Sequence, residues 1–153
     1  LIRQLQARTV KRHYRAITCG NVAGDITIDK AIGRDPKTRV KMAVVAFGGK
    51  PAITHVRPLE MFEHHTLVEC RLETGRTHQI RVHMAHIGHP LVGDATYGKA
   101  KSADPRLDAF PRQALHAWQL GLIHPRSGEA CRWQSALPAD FDELLQRLRG
   151  ETP

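Results

Sequence analysis

The stretch at positions 72–83, Leu-Glu-Thr-Gly-Arg-Thr-His-Gln-Ile-Arg-Val-His, constrains the fold more than any other part of the chain. It predicts the end of a strand, a turn at Gly75, and a helix that begins with Thr77 as its N-cap. Gly88 supplies a stop signal for that helix. Three apolar residues lie between these limits at helical spacing: Ile80, Met84 and Ile87. The pattern therefore predicts an amphipathic helix of about three turns with one face in the core.

The other face of this predicted helix is basic. Four basic residues lie at the helix start or on its first two turns: Arg76, His78, Arg81 and His83. A helix N-terminus with free N–H groups beside guanidinium donors is suited to binding an anion. A solvated basic face is the alternative interpretation of the same charges.

The composition favours a polyanionic partner. The chain has 153 residues and 41% hydrophobic content, enough for one moderate core and no more than one domain. Lys and Arg number 23 against 15 Asp and Glu, which gives a formal net charge of +8. The sequence contains neither an apolar run long enough to cross a bilayer nor a basic amphipathic helix with bulky apolar residues. We therefore expect nucleic acid, rather than a membrane surface, as the partner.

The cysteines indicate a reducing environment. Cys19, Cys70 and Cys131 are far apart and form no Cys-x-x-Cys pair, so neither a zinc site nor a disulfide framework is expected. A cytoplasmic location follows from this interpretation. The chain begins with Leu1 in what resembles the tail of a helix at 1–5, and we expect it to be a piece of a longer polypeptide.

Most of the chain has the alternation typical of strands. Strands are predicted at 10–19, 25–31, 40–47, 51–61, 66–73, 115–124 and 130–135. Gly48-Gly49 predicts a tight hairpin between the third and fourth of these, and 99–112 a mobile loop. A terminal helix begins near Pro138 with an apolar stripe formed by Phe141, Leu144, Leu145 and Leu148. The predicted fold class is α+β, with a largely antiparallel mixed sheet and a few helices.

A string of motifs resembles one known family closely. Gly-Arg-Thr-His-Gln-Ile-Arg-Val-His at 75–83, the run at 86–98, and the segments 41–44 and 49–55 resemble the RluA/RluD family of pseudouridine synthases, and its RluD branch most. The resemblance implies the pseudouridine synthase fold and isomerisation of uridine in large-subunit ribosomal RNA. It also implies a monomeric full-length enzyme that needs no cofactor or metal.

The resemblance carries site roles onto particular residues. Tyr14 resembles the active-site Tyr that packs on the flipped uracil, and Arg81 the Arg that pairs with the catalytic Asp. Leu120 resembles an apolar residue of the base pocket, which Ile80 also lines. The RNA surface would include Arg34, Lys37, Arg39, Lys41, Arg76 and His78. Each role has an alternative. Tyr14 and Leu120 would pack in an ordinary core, Arg81 would form a surface salt bridge to a neighbour such as Glu73, and the basic loop at 34–41 would simply be solvated.

The nucleophile of the family has no counterpart in this chain. It lies in a Gly-Arg-Leu-Asp segment upstream of the Tyr strand, whereas the triplet at 106–108 follows both motifs and is interpreted as coincidence. Asp35 and Asp94 have no better claim, and Asp94 is expected to cap or hydrogen-bond a loop. Residues 1–153 are therefore interpreted as the C-terminal portion of a catalytic domain, inactive alone.

Two other functions remain open from the sequence. The first is a stand-alone RNA-binding module with the same fold and charge. The second is a metal-dependent hydrolase, for which the candidate ligands are His78, His83, His86 and His89. Their spacing is poor, with no carboxylate at ligand spacing, and we expect no metal site.

Overall fold

The computed structural model describes residues 11–38, 40–98, 110, 112–123, 130–134 and 138–149, with the backbone alone at 11, 118–123 and 130–134. This part contains eight strands and two helices. The strands are β1 Lys11–Cys19, β2 Ile26–Asp29, β3 Ile32–Arg34, β4 Met42–Val44, β5 Ile53–Met61, β6 His65–Leu72, β7 Leu115–Ile123 and β8 Ala130–Gln134. The helices are α1 Gln79–His86 and α2 Ala139–Leu148.

Six strands form one antiparallel sheet in the order β2-β5-β6-β1-β7-β8, while β3 and β4 pair in a separate two-stranded sheet. β1 lies inside the large sheet, where Tyr14 is opposite Cys70 of β6 and Ala117 of β7. A register shift interrupts the β1–β7 pairing between His13 and Tyr14. The α+β class and the antiparallel sheet predicted from the sequence are confirmed.

The two helices cover opposite faces of the sheet, because successive side chains of a strand point to opposite sides. On one face, Ala16 and Val68 pack in a buried cluster with Ile80 and Met84 of α1. On the other face, the neighbouring residues Ile17 and Leu67 pack with α2. The α2 residues in that second cluster are Phe141, Leu144 and Leu145, as its predicted stripe requires. β1 therefore contributes to both cores.

The predicted hairpin through Gly48-Gly49 is wrong. β4 pairs with β3, with Val44 opposite Ile32, and β5 pairs instead with β2 and β6. Gly49 serves a close approach, since a Cβ there would lie 2.6 Å from Cγ2 of Val45 and 3.1 Å from the carbonyl carbon of Ile32. The predicted strand at 25–31 accordingly ends at Asp29, and the chain turns into β3.

The predicted N-cap at Thr77 is also wrong, because α1 begins at Gln79 and its N-cap is His78. His78 has left-handed backbone angles, φ 55° and ψ 27°, and makes no side-chain cap hydrogen bond. The predicted stop is confirmed: Gly88 has φ 86°, and its N–H donates to Ala85 O at 3.1 Å. A left-handed residue just after a helix is the usual place for glycine.

The predicted strand at 40–47 is shorter in the structure, where β4 comprises only Met42–Val44. The remaining predicted strands agree with the structure to within two residues. The predicted helix at 1–5, most of the loop at 99–112 and the triplet at 106–108 lie outside the described residues. In the part of the chain that the structure describes, no helix is long and apolar enough to cross a membrane.

Candidate active site

A buried hydrogen-bond network centred on Gln79 fixes the start of α1. The Oε1 atom of Gln79 accepts from the Thr74 hydroxyl at 2.7 Å and from the Arg76 N–H at 3.0 Å. Its Nε2 donates to Ile53 O at 3.0 Å and to the Thr54 hydroxyl at 2.9 Å. The amide thus uses both acceptor positions and both donors, and it joins the helix start to β5 and to the turn after β6.

His83 extends this network by one helical turn. Its ring is fully buried, with Nε2 2.9 Å from Lys30 O and Nδ1 2.8 Å from the Thr54 hydroxyl. Since a carbonyl can only accept, Nε2 carries the proton and Nδ1 accepts from Thr54. Burial lowers the pKa of His83, which therefore stays neutral. The sequence-based assignment of His83 to the charged face is wrong.

Arg81 and Asp94 form a bidentate ion pair beside this helix start. Arg81 Nε donates to Oδ2 of Asp94 at 2.9 Å, and Nη2 donates to Oδ1 at 2.9 Å. The Arg81 side chain is 13% exposed and that of Asp94 is 0% exposed. Nη1 donates to no group in the described residues. One edge of the guanidinium is therefore occupied, and the end that bears Nη1 remains for a second acceptor.

A tight loop holds the Asp94 carboxylate. Its Oδ1 also accepts from the backbone N–H groups of Thr96 and Tyr97, both at 3.1 Å. Gly98 closes the loop by donating its N–H to Asp94 O at 2.9 Å. Burial opposes ionisation of the carboxyl, but the Arg81 hydrogen bonds and the two N–H groups outweigh it, so the pKa of Asp94 is lowered. The hydrogen bond to Asp94 raises the pKa of Arg81. Both partners are therefore charged, and the role of the buried Asp94 is to hold the guanidinium of Arg81.

Tyr97 connects this ion pair to β4. The Arg81 Cζ lies 5.0 Å from the centroid of the Tyr97 ring, and the Lys41 Nζ lies 5.8 Å from it, both at cation–π distance. The Tyr97 hydroxyl accepts from the Met42 N–H at 3.0 Å and lies 2.8 Å from Nδ1 of His78. Three basic side chains from two segments, Lys41 before β4 and His78 and Arg81 at the start of α1, thus converge on one aromatic ring.

His78 has a costly backbone conformation at this point. A non-glycine residue in the left-handed region costs about 1–2 kcal/mol, which the surrounding contacts must offset. Its ring packs edge-on to Tyr97 with centroids 5.5 Å apart. Burial, followed by the charge of Arg81, lowers the pKa of His78, so the ring is neutral at pH 7.

The structure brings two of the predicted pocket residues together. Tyr14 is half-buried and packs against the core cluster that contains Ile80, the residue before Arg81 on α1. Leu120 belongs to β7, where its backbone is opposite Arg12, and its side chain lies outside the described residues.

The predicted basic residues divide into two groups. Lys41, Arg76 and His78 lie around α1, where Arg76 Nε donates to Pro51 O at 2.7 Å. Arg34 and Lys37 are exposed at the end of β3 and in the following loop, and Arg39 lies outside the described residues.

The histidines considered as metal ligands contact different parts of the chain. His83 is engaged as above, and His89 Nδ1 lies 2.9 Å from Cys19 O. Across the described ranges, no three His, Cys, Asp or Glu side chains are grouped so that they could hold a metal ion.

Two residues of this site were not predicted as such. Asp94 does hydrogen-bond its own loop, as expected, but its pairing with Arg81 was missed, as was the role of Tyr97. Glu73, considered as a partner of Arg81, contacts His55 instead. The signal available in the sequence was Arg81 itself. An arginine on a helix that packs against a core is partly buried and requires a nearby carboxylate.

The chain is similar in sequence to ribosomal large subunit pseudouridine synthases. It is 56% identical to ribosomal large subunit pseudouridine synthase D of Nitrosomonas europaea over 97% of this chain and 44% of that protein. It is 46% identical to the protein of the same name from Escherichia coli over 99% of this chain and 48% of that protein. The chain thus spans about half the length of these relatives.

Solved structures agree with this similarity. Human RNA pseudouridylate synthase domain containing 1 superposes with a TM-score of 0.73 at 31% identity, covering 99% of this chain and 70% of that one. Human RNA pseudouridylate synthase domain containing 4 gives a TM-score of 0.78 at 25% identity, over 97% and 66%. Residues 1–86, more than half of the chain, match the family described as RNA pseudouridylate synthase. The chain belongs to the RNA pseudouridylate synthase family.

Proposed function

We propose that this chain is the C-terminal portion of the catalytic domain of an enzyme that converts uridines to pseudouridine in large-subunit ribosomal RNA. The geometry of Arg81 carries the proposal. Asp94 holds one edge of its guanidinium, and Nη1 donates to no described group. Arg81 also follows Ile80, which packs in the same cluster as Tyr14. A fixed cation on the helix that packs with Tyr14 suits a site that takes an uncharged base and a catalytic carboxylate.

The chemistry requires few groups. The N1–C1′ bond of uridine breaks, the base turns, a C5–C1′ bond forms, and the proton on C5 is lost while N1 gains one. A carboxylate attacks C1′ or deprotonates a sugar intermediate. Arg81 would keep that carboxylate ionised and oriented. Tyr14 would pack on the flipped uracil and assist loss of the C5 proton, while Ile80 and Leu120 would line the pocket.

We propose that the carboxylate comes from outside this chain. Asp94 is unsuitable because both of its oxygens accept hydrogen bonds and its side chain is fully buried. Asp35 uses its Oδ1 to accept from the Lys37 N–H at 2.8 Å, which shapes its own loop. We assign the nucleophile to an Asp in an upstream segment of a longer protein, and we expect the chain alone to be inactive.

The RNA would be held mainly through its phosphates. Lys41 and Arg76 lie near the α1 start and supply positive charge there, and His78 beside them supplies a neutral ring. Arg34 at the end of β3 and Lys37 in the following loop add positive charge, and Arg39 is proposed to do the same. The net charge of +8 fits such a partner. We expect the longer protein to act as a cytoplasmic monomer.

Tritium release from large-subunit ribosomal RNA that carries 5-tritiated uridine tests the proposal. The assay compares this chain with a protein extended upstream through the expected Asp segment. Release is expected from the extended protein and not from the chain alone. Arg81→Lys should lower the rate at least about a hundredfold, because it keeps the charge but loses the bidentate geometry. The control is Arg71→Lys, at an exposed position of β6.

Two results would contradict the proposal. Release by the chain alone would contradict the assignment of the nucleophile upstream. No release by either protein, with RNA binding intact and unaffected by Tyr14→Phe, would favour a non-catalytic RNA-binding module.

A further inference from the structure

Arg12 is a half-buried arginine with an unused donor. Its Nε atom is buried and has no hydrogen-bond partner, and the guanidinium forms no ion pair with any residue in the described part of the chain. A buried donor without an acceptor carries a desolvation cost of about 1–3 kcal/mol. An orphaned buried donor requires an explanation, and an acceptor that arrives with a ligand is one such explanation.

The guanidinium of Arg12 occupies space that only a glycine at position 75 leaves open. A Cβ at Gly75 would lie 2.1 Å from Arg12 Nη1 and 2.9 Å from Cζ, so the guanidinium lies directly on the Gly75 backbone. Gly75 is in the turn between β6 and α1. The charge of Arg12 therefore lies close to the start of the helix that carries Arg81.

The register of β1 puts Arg12 next to the proposed base pocket. Arg12 precedes Tyr14 by two residues, so the two side chains share a face and their Cα atoms are separated by about 6.6 Å of strand rise. Its backbone is opposite Leu72 of β6 and Leu120 of β7. Arg12 is thus the basic residue of β1 on the face that carries Tyr14.

We propose that Arg12 binds a backbone phosphate of the RNA strand whose uridine occupies the pocket beside Tyr14. The inference rests on the proposed function only in taking RNA as the ligand. The uracil base brings no charge, but each nucleotide brings one phosphate, whose oxygens match the fork of a guanidinium. The bound phosphate supplies an anion for Arg12 and sets the position of the strand relative to Tyr14.

The first test is the salt dependence of RNA binding by the extended protein, with transcribed large-subunit ribosomal RNA as the probe. Arg12→Gln should weaken binding about tenfold or more. It should also reduce the slope of log affinity against log salt by about 0.7–0.9, the contribution of one phosphate. Arg71→Gln removes the same charge at an exposed position on the opposite face and is the matched control. Equal effects of the two substitutions would overturn the proposal.

Gly75→Ala gives an independent test, because it moves the guanidinium without removing it. The added methyl group meets the flexible end of Arg12, so the fold should tolerate it. RNA binding should weaken in Gly75→Ala, and the substitution should have no further effect when Arg12→Gln is also present. Additive effects of the two substitutions would count against the contact.

A final comparison identifies the source of the anion. If a carboxylate from the upstream segment pairs with Arg12, Arg12→Gln would lower the free energy of unfolding and leave the salt slope unchanged, which overturns the proposal. The binding assay does not depend on isomerisation. Tritium release with an unchanged slope therefore refutes the role of Arg12 alone, whereas an Arg12-dependent slope without release refutes the proposed function alone.

Discussion

Asp94→Asn changes one atom and one charge at the buried end of the ion pair with Arg81. The amide oxygen can still accept from the N–H groups of Thr96 and Tyr97, which lie 3.1 Å from Oδ1. The amide nitrogen then lies opposite Arg81 Nε, at the 2.9 Å where Oδ2 accepts. A donor faces a donor, and the guanidinium loses its counterion.

The expected loss of stability follows from burial. Removing one partner of a buried ion pair costs about 3–5 kcal/mol, because the other charge is left uncompensated. Arg81 retains 13% exposure and can turn partly to water, so we expect the lower end, about 3 kcal/mol. For a domain of this size, 1 kcal/mol corresponds to about 2–4 °C, and the Tm should fall by about 6–12 °C.

Thermal and urea unfolding of the extended protein between pH 3 and pH 7 measure this loss. The pKa of Asp94 is lowered in the folded state, so its contribution is full above the unfolded value of about 3.9 and is lost as the pH falls through the lower folded value. The difference between wild type and Asp94→Asn should therefore shrink below about pH 4. Asp25→Asn, at an exposed position, is the control and should stay within about 0.5 kcal/mol of wild type. A loss below about 1 kcal/mol at pH 7, or a difference independent of pH, would refute the reasoning.

Three other predictions concern buried groups near the site. Gln79→Ala should cost about 2–3 kcal/mol in urea unfolding, because the Thr74 hydroxyl and the Arg76 N–H both lose the acceptor to which they donate. The pKa of His83 is lowered, so stability should fall as the pH drops below about 6.5, where the unfolded chain binds the proton more readily, and His83→Gln should flatten that profile. Burial raises the pKa of Cys70 to about 12, so iodoacetamide at pH 8 should modify it only after unfolding, as mass spectrometry would show.

Local patterns predicted the strands well where alternation was clear. In β1, the alternation of a strand puts Tyr14 and Ala16 on one face, which packs with α1, and Ile17 on the other face, which packs with α2. The start of α1 was predicted one residue early because Thr77 has a better cap side chain than His78, the actual N-cap. Contacts from distant segments place the N-cap at His78 instead. The Tyr97 hydroxyl contacts the ring of His78, and the side chain of the next residue, Gln79, donates to Ile53 O of β5.

The roles of polar residues were the hardest part to predict. The basic and amide side chains of 76–83 share one short segment, yet Gln79 and His83 are buried and structural while Arg81 reaches the site. Both ring nitrogens of the buried His83 have hydrogen-bond partners, which are the Thr54 hydroxyl and the Lys30 carbonyl. Those partners lie far away in sequence, so no local pattern shows them.

Arg81 is restrained from two directions, which has consequences for the proposed chemistry. The Gln79 network fixes its backbone and Asp94 fixes its guanidinium, so most of the side-chain entropy of about 2 kcal/mol is lost on folding rather than when a catalytic carboxylate arrives. Asp94 also neutralises part of the charge of Arg81. An incoming carboxylate at Nη1 would therefore stay ionised but be less stabilised than beside an unpaired arginine, and a less stabilised carboxylate is the stronger nucleophile. On this argument Asp94→Asn would lower the pKa of the incoming Asp and slow its attack on C1′, even in the fraction of protein that remains folded.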